Sequence, residues 1–318
     1  MRVAAGVACA VALLPAGAVG AGSSPPPRCF GAASRDPEHP CRNPALAHRV
    51  TPRPQDAVLQ PEATCDPPPP SPGPPPPCTF GVPADGAAST MLLLGDSHAT
   101  HWRPALDVVA ERLHWHAISL TRSSCPFSEA TYDEPEPKPS QCRTFNRDVI
   151  TFAEDHPEVQ TVVVSEDHEP FVAAPGSSAR EQQMAGFAAA WRALPDTVKH
   201  IVVIRDVTYE RPSTPGCVDR AVRRHRDAGL ACALPRASAL KPDLAVAAAR
   251  RERAADPASR VAVVDLTPFL CGRRLCYPVI GGVLVHKDPG HLTILYARTL
   301  GPYLLRGIGR ALSAAAGA

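Results

Sequence analysis

The chain carries no surplus of charge: 33 basic against 31 acidic residues leave a formal net charge of +2 over 318 residues. Binding a polyanion needs a dense field of cations and the counterion release that goes with it, so nucleic acid is not an expected partner. None of its cysteines form a C-x-x-C pair, which argues against zinc ribbons and thioredoxin-like redox work. There is no internal repeat. Beyond the first residues there is also no apolar run near the ~20 residues that a membrane span requires.

What is present begins with MRVAAGVACAVALLPAGAVGAG: one early positive charge, an apolar stretch from Val3 to Leu14, and small residues around Ala18 and Ala21. This is the layout of a cleaved secretory signal over residues 1–21, and Pro15 interrupts it as a span. Removing Cys9 with the signal leaves ten of the eleven cysteines. An even set in an exported chain reads as disulfides. Sequence does not determine their pairing; nearest-neighbour bridges close the shortest loops, with Cys271 to Cys276 the safest and Cys65 to Cys78, across DPPPPSPGPPPP, the hardest. The 38 prolines crowd the front of the chain, so residues 22–88 read as an irregular Cys/Pro-rich arm that no core strand or helix could cross.

From residue 89 to 314 the pattern changes. Short apolar runs recur at MLLLGD, HAISL, TVVVSE, IVVIRD and VAVVDL, without the polar alternation of a half-exposed strand, as expected of strands buried on both faces of a parallel sheet. Between them PALDVVAERL, TFNRDVITFAED, QQMAGFAAAWRAL and DLAVAAARRERAA carry apolar residues at helical spacing, and a last helix covers about 292–312. Alternating strands and helices predict a three-layer α/β/α sandwich around a five-stranded parallel sheet. Ligands of such sheets bind beyond the carboxyl ends of the strands. Ser97 falls at that edge, in GDSHATHW directly after the first strand.

A serine in a strand-to-helix turn has two physical uses. It can cap the helix that follows, or the turn can hold its hydroxyl in the open, where a base makes it a nucleophile. The base would come from another strand end. HKDPGHLT places Asp288 and His291 three apart, a spacing that lets the carboxylate hold one ring nitrogen while the other faces outward. The alternative is a capping Asp288 and a surface His291.

GDSHATHW, followed by SSCPF, by CRTFN and by VIGGVLVHKDPGHLT, resembles the SGNH (GDSL-like) hydrolases, and in particular the SGNH domain fused behind membrane acyltransferases that O-acetylate envelope polysaccharides. RCFGAA and CTFG in the arm are similar to the same group. The resemblance implies an SGNH/flavodoxin-like fold, a Ser97 nucleophile, a His291 base and an Asp288 orienting acid, with no cofactor and no metal. It implies an exported enzyme acting on O-acyl groups of envelope carbohydrate, with a glycan acceptor and a membrane acyltransferase as an acyl donor; an acetylesterase or a silent carbohydrate-binding module are the alternatives. The family's oxyanion glycine and asparagine do not carry over. Their places fall on Thr121-Arg122-Ser123-Ser124 and Ser165-Glu166-Asp167-His168, where Ser124 and Ser165 are the candidates beside the backbone N–H of Ser97.

Other constellations are weaker. Asp96 and His98 match the D-x-H opening of two-metal phosphoesterases, but the later G-D-x-x-D and G-N-H-E are missing. His98 and His101, at i and i+3, lack a third metal ligand of matching spacing; His98 is expected to pack beside the active-site turn. Glu166, Asp167 and His168 either shape an acceptor site or form a hydrated strand end. Arg220, Arg223, Arg224 and Arg226, framed by Cys217 and Cys232, read as a solvated helical face or as a lid over an anionic or sugar-rich polymer.

Overall fold

A computed structural model describes residues 25–61, 77–169, 172 and 177–316. The expected signal and Cys65 lie outside the described residues. Five apolar runs form the parallel part of the sheet: β2 (Ser89–Gly95), β3 (Trp115–Thr121), β4 (Val159–Ser165), β5 (His200–Ile204) and β6 (Val261–Val264). A sixth strand, β1 (Cys78–Gly81), pairs antiparallel with β3 at the edge. It comes from the stretch read as irregular, because four residues between prolines carry no periodicity to recognise. The order β1-β3-β2-β4-β5-β6 is a doubly wound sheet whose topology switches between β2 and β4.

Successive side chains of a strand point to opposite faces, and β2 shows the result. Met91 and Leu93 join one buried cluster with Trp102, Leu106, Tyr296 and Leu300; Leu92 and Leu94 join another with Phe145, Phe187, Trp191 and Val246. One layer is therefore made of α2 (Arg103–Leu113) and α7 (Ile294–Ala316). The other holds α3 (Lys138–Asp155), α4 (Ser177–Ala193) and α6 (Leu244–Ala255). A single turn, α1 (Ser97–Thr100), precedes α2. None of the helices among the described residues is long and apolar enough to cross a membrane.

The arm is clasped to the domain. Ala32 donates its N–H to Thr299 Oγ1 at 3.1 Å, and Arg306 and Arg310 of α7 pair with Asp36 and Glu38. Chiefly the Arg306 hydrogen bond holds the Asp36 carboxyl down at about 2, against its burial. Four nearest-neighbour bridges join pairs of described residues, Cys29–Cys41, Cys125–Cys142, Cys217–Cys232 and Cys271–Cys276. Cys78 is also disulfide-bonded. In the Cys217–Cys232 insertion, α5 (Thr214–Arg223) buries Val218 and Ala221, while Arg220, Arg223, Arg224 and Arg226 are exposed, as a solvated helical face would be.

Candidate active site

The turn after β2 is shaped by Gly95. Its φ of +128° lies where side chains are rarely tolerated, and a Cβ there would meet the Ser165 carbonyl oxygen at 2.2 Å, so only glycine lets the ends of β2 and β4 approach this closely. Asp96 then ties the two ends together: its Oδ1 accepts from the His98 N–H at 2.7 Å and its Oδ2 from the Asp167 N–H at 3.0 Å. Burial pushes the Asp96 carboxyl up to about 6.

Ser97, half-buried at the start of α1, meets His291 across 194 residues of sequence: Ser97 Oγ lies 2.8 Å from His291 Nε2. His291 Nδ1 lies 2.9 and 3.0 Å from the two Asp288 oxygens. Asp288 Oδ1 also accepts the N–H groups of Gly290 and His291 at 3.0 and 2.9 Å. Burial opposes ionisation of Asp288, but these hydrogen bonds prevail and hold its carboxyl below the ordinary value. The three residues form the chain carboxylate, imidazole, hydroxyl, with side-chain exposure of 21% at His291 and 34% at Asp288.

The turn bearing His291 rests on the loop after β5. Glu210 donates its N–H to the Pro289 carbonyl at 2.8 Å, and its carboxylate lies 3.0 Å from His286 Nδ1. Gly290 packs so tightly here that a Cβ would lie 2.9 Å from the Tyr209 ring and 3.3 Å from the His98 ring.

Beside this chain stands a second group that sequence reasoning had left apart. His98 is buried, its ring centroid 4.8 Å from that of His291. Its Nδ1 lies 2.7 Å from Asp206 Oδ1 and its Nε2 3.2 Å from the Tyr209 hydroxyl, which donates to Asp167 Oδ1 at 3.0 Å. Asp206 Oδ2 takes His168 from both the ring Nδ1, at 2.7 Å, and the backbone, at 3.0 Å. Burial disfavours the His98 cation, but the Asp206 carboxylate outweighs it, with Asp96 and Asp167 adding, and raises its pKa to about 10. Asp206 is correspondingly held below its ordinary value against its own burial. Burial, then the adjacent His98 cation, hold His101 well below the usual histidine range. Burial, with Asp96 nearby, pushes Glu166 well up. Asp206 ends the run IVVIRD, and a carboxylate at the carboxyl end of a buried strand was the signal that could have marked it.

The two oxyanion candidates part company. Ser165 is fully buried, and its hydroxyl accepts the Trp102 indole N–H at 3.1 Å. Ser124 is exposed on the loop after β3 with φ of +56°, the backbone conformation that a glycine adopts freely. That loop closes on the turn bearing Ser97, with the Arg122 N–H bonded to the Gly95 carbonyl at 3.1 Å. Among the described residues, His98, Asp167 and Asp206 offer ligand atoms within 4.8 Å of one another. His98 Nδ1 and Asp206 are already joined by a short hydrogen bond, the arrangement of an imidazolium with its counter-ion.

Comparison with known proteins identifies a family and a shared fold. The family model described as SGNH domain (fused to AT3 domains) matches residues 64–306. A solved structure of the lipopolysaccharide acetyltransferase periplasmic domain of Salmonella ser. Paratyphi A aligns with a TM-score of 0.53 at 13% identity, covering 73% of this chain and 90% of that one. At that identity the likeness is one of fold. No curated protein matches the chain.

Proposed function

The chain belongs to the family of SGNH domains fused to AT3 domains, and from that premise we propose that it is an exported serine enzyme that transfers acetyl groups to hydroxyls of cell-envelope carbohydrate. The observation that carries this reading is the 2.8 Å contact between Ser97 Oγ and His291 Nε2, with Asp288 behind the ring. Ser97 Oγ attacks the donor's acyl carbonyl and passes its proton to His291 Nε2. The donor's leaving oxygen takes that proton as its bond to the acyl carbon breaks, and acetyl-Ser97 remains. An acceptor hydroxyl then gives its proton to His291 and attacks the acyl carbon; the bond from that carbon to Ser97 Oγ breaks, His291 returns the proton to Ser97 Oγ, and the acetyl ester leaves. Asp288 holds the imidazole in the tautomer that both steps need and stabilises its cation.

The backbone N–H of Ser97 is one oxyanion donor, and the loop at Ser124 is the place for a second. One such donor is worth roughly 100-fold in rate or more. The AT3 fusions in the family support a separate membrane acyltransferase as acetyl donor, and the four disulfides support export. Because His291 is partly exposed, water can also reach the acyl-serine, so acetylesterase activity is the second reading.

A fluorophosphonate probe tests the nucleophile: it should label the wild type at Ser97 and leave Ser97→Ala unlabelled. The same variant should fall below about 1% of wild-type turnover of an aryl acetate, with its melting temperature nearly unchanged. Labelling elsewhere, or activity above that level, sinks the assignment.

A further inference from the structure

We propose that Asp167, the solvent-facing end of a buried Asp206–His98–Tyr209 relay, grips a hydroxyl of the acceptor sugar beside Ser97. This inference rests on the acyl-serine reading above and adds the residue that selects the acceptor.

The two carboxylates of the group do different work. Asp206 is buried, and four donors occupy it: His98 Nδ1, His168 Nδ1, and the backbone N–H groups of His168 and Val207. It has nothing left to offer a ligand. Asp167 is 32% exposed at its side chain. Its Oδ1 accepts from the Tyr209 hydroxyl and from the Glu169 N–H, both at 3.0 Å. Its Oδ2 comes no closer than 3.7 Å to His98 Nε2, beyond the range of a good hydrogen bond, so with respect to the described residues that oxygen keeps lone pairs for an incoming donor.

Its position is held firmly. The Asp167 N–H is bonded to Asp96 Oδ2 at 3.0 Å, one residue from the nucleophile. The His98 ring, which Asp167 approaches, lies 4.8 Å from the His291 ring. A carboxylate fixed on one oxygen and open on the other is preorganised for a hydroxyl donor, because an ionised carboxylate only accepts and a sugar presents several O–H groups. Tyr132, half-buried on the loop after β3, stands in the same field: after burial and Glu134, the charges of Asp96 and Asp167 raise its hydroxyl's pKa.

Asp167→Asn is the direct test. The amide keeps an oxygen for the Tyr209 hydroxyl but turns an N–H₂ outward, so a donor faces the sugar's donor. With an aryl acetate as acyl source and a panel of methyl glycosides as acceptors, acetyl-glycoside and acetate are followed by mass spectrometry, and acetyl-Ser97 on the intact protein. The ratio of transfer to hydrolysis should fall about 10- to 100-fold, the effect of losing a hydrogen bond to a charged group, and the loss should appear in the acceptor KM. Formation of acetyl-Ser97 should fall by a much smaller factor. Tyr209→Phe, which frees the carboxylate to swing, should give a weaker defect of the same kind and provides a second reading should the first variant fold poorly. An unchanged ratio, an equal fall in both steps, or wild-type acetyl-Ser97 that transfers to none of the sugars overturns the role of Asp167. Absence of acetyl-Ser97 in the wild type instead overturns the reading of Ser97 on which the inference stands.

Discussion

Replacing Asp206 with asparagine removes the charge that keeps His98 protonated, and the effect has a defined pH signature. His98 is buried, and its pKa is raised from 6.5 to about 10. A raised histidine pKa adds stability that is fully present below the unfolded value and is lost as pH rises through the folded one. At 1.36 kcal/mol per pKa unit, this amounts to at most about 5 kcal/mol at pH 6, about 3 at pH 8 and under about 1 at pH 10. The first figure is close to the ~3–5 kcal/mol lost when one member of a buried ion pair is removed. Asp206, held below its ordinary pKa, contributes stability that is lost only as pH falls through its folded value, so it stays charged across this window and adds no slope. Asparagine must also turn its amide N–H₂ toward one of the four donors that now meet a carboxylate. Urea titrations of wild type and Asp206→Asn at pH 6, 8 and 10, followed by tryptophan fluorescence with the disulfides intact, measure the difference. It should be largest at pH 6 and shrink as pH rises. A difference that is flat from pH 6 to 10, or negligible at pH 6, would refute the assignment of His98 as a cation held by Asp206.

Asp288→Asn should leave activity between that of the wild type and that of Ser97→Ala in aryl acetate assays, because the imidazole keeps its place but loses the partner that selects its tautomer; wild-type turnover would remove Asp288 from the mechanism. Gly290→Ala would place a methyl carbon 2.9 Å from the Tyr209 ring and 3.3 Å from His98. The turn carrying His291 must then shift, and a displacement near 1 Å costs on the order of 100-fold in kcat; trimming Tyr209 to leucine in the same chain should restore part of it. Thiol titration of the unreduced, denatured protein, produced without its expected signal in an oxidising compartment, should find no free cysteine, and two or more reactive thiols would break the disulfide framework.

Much of the fold was legible in the sequence because the signals are local. A β-branched run between turns, such as TVVVS, specifies a strand buried on both faces, and the helices between the runs repeat their apolar residues every three or four positions. Four disulfides followed from proximity along the chain. The edge strand Cys78–Gly81 was not legible, since its pairing with Trp115–Thr121 is a property of the partner. At the site, Ser97, Asp288 and His291 could be named from two motifs, although the structure alone brings His291 to 2.8 Å from a serine 194 residues away. The relay was hidden for the same reason in a stronger form. His98 and Asp206 are 108 residues apart, and Tyr209 and Asp167 are 42 apart, and neither pair carries a motif. The sequence by itself determined which strands end in chemistry-bearing residues. Only the sheet order, which sets β4 beside β2 and β5 beside β4, decided that those ends meet. A buried histidine became a cation there because a carboxylate from another strand entered the same low-dielectric space.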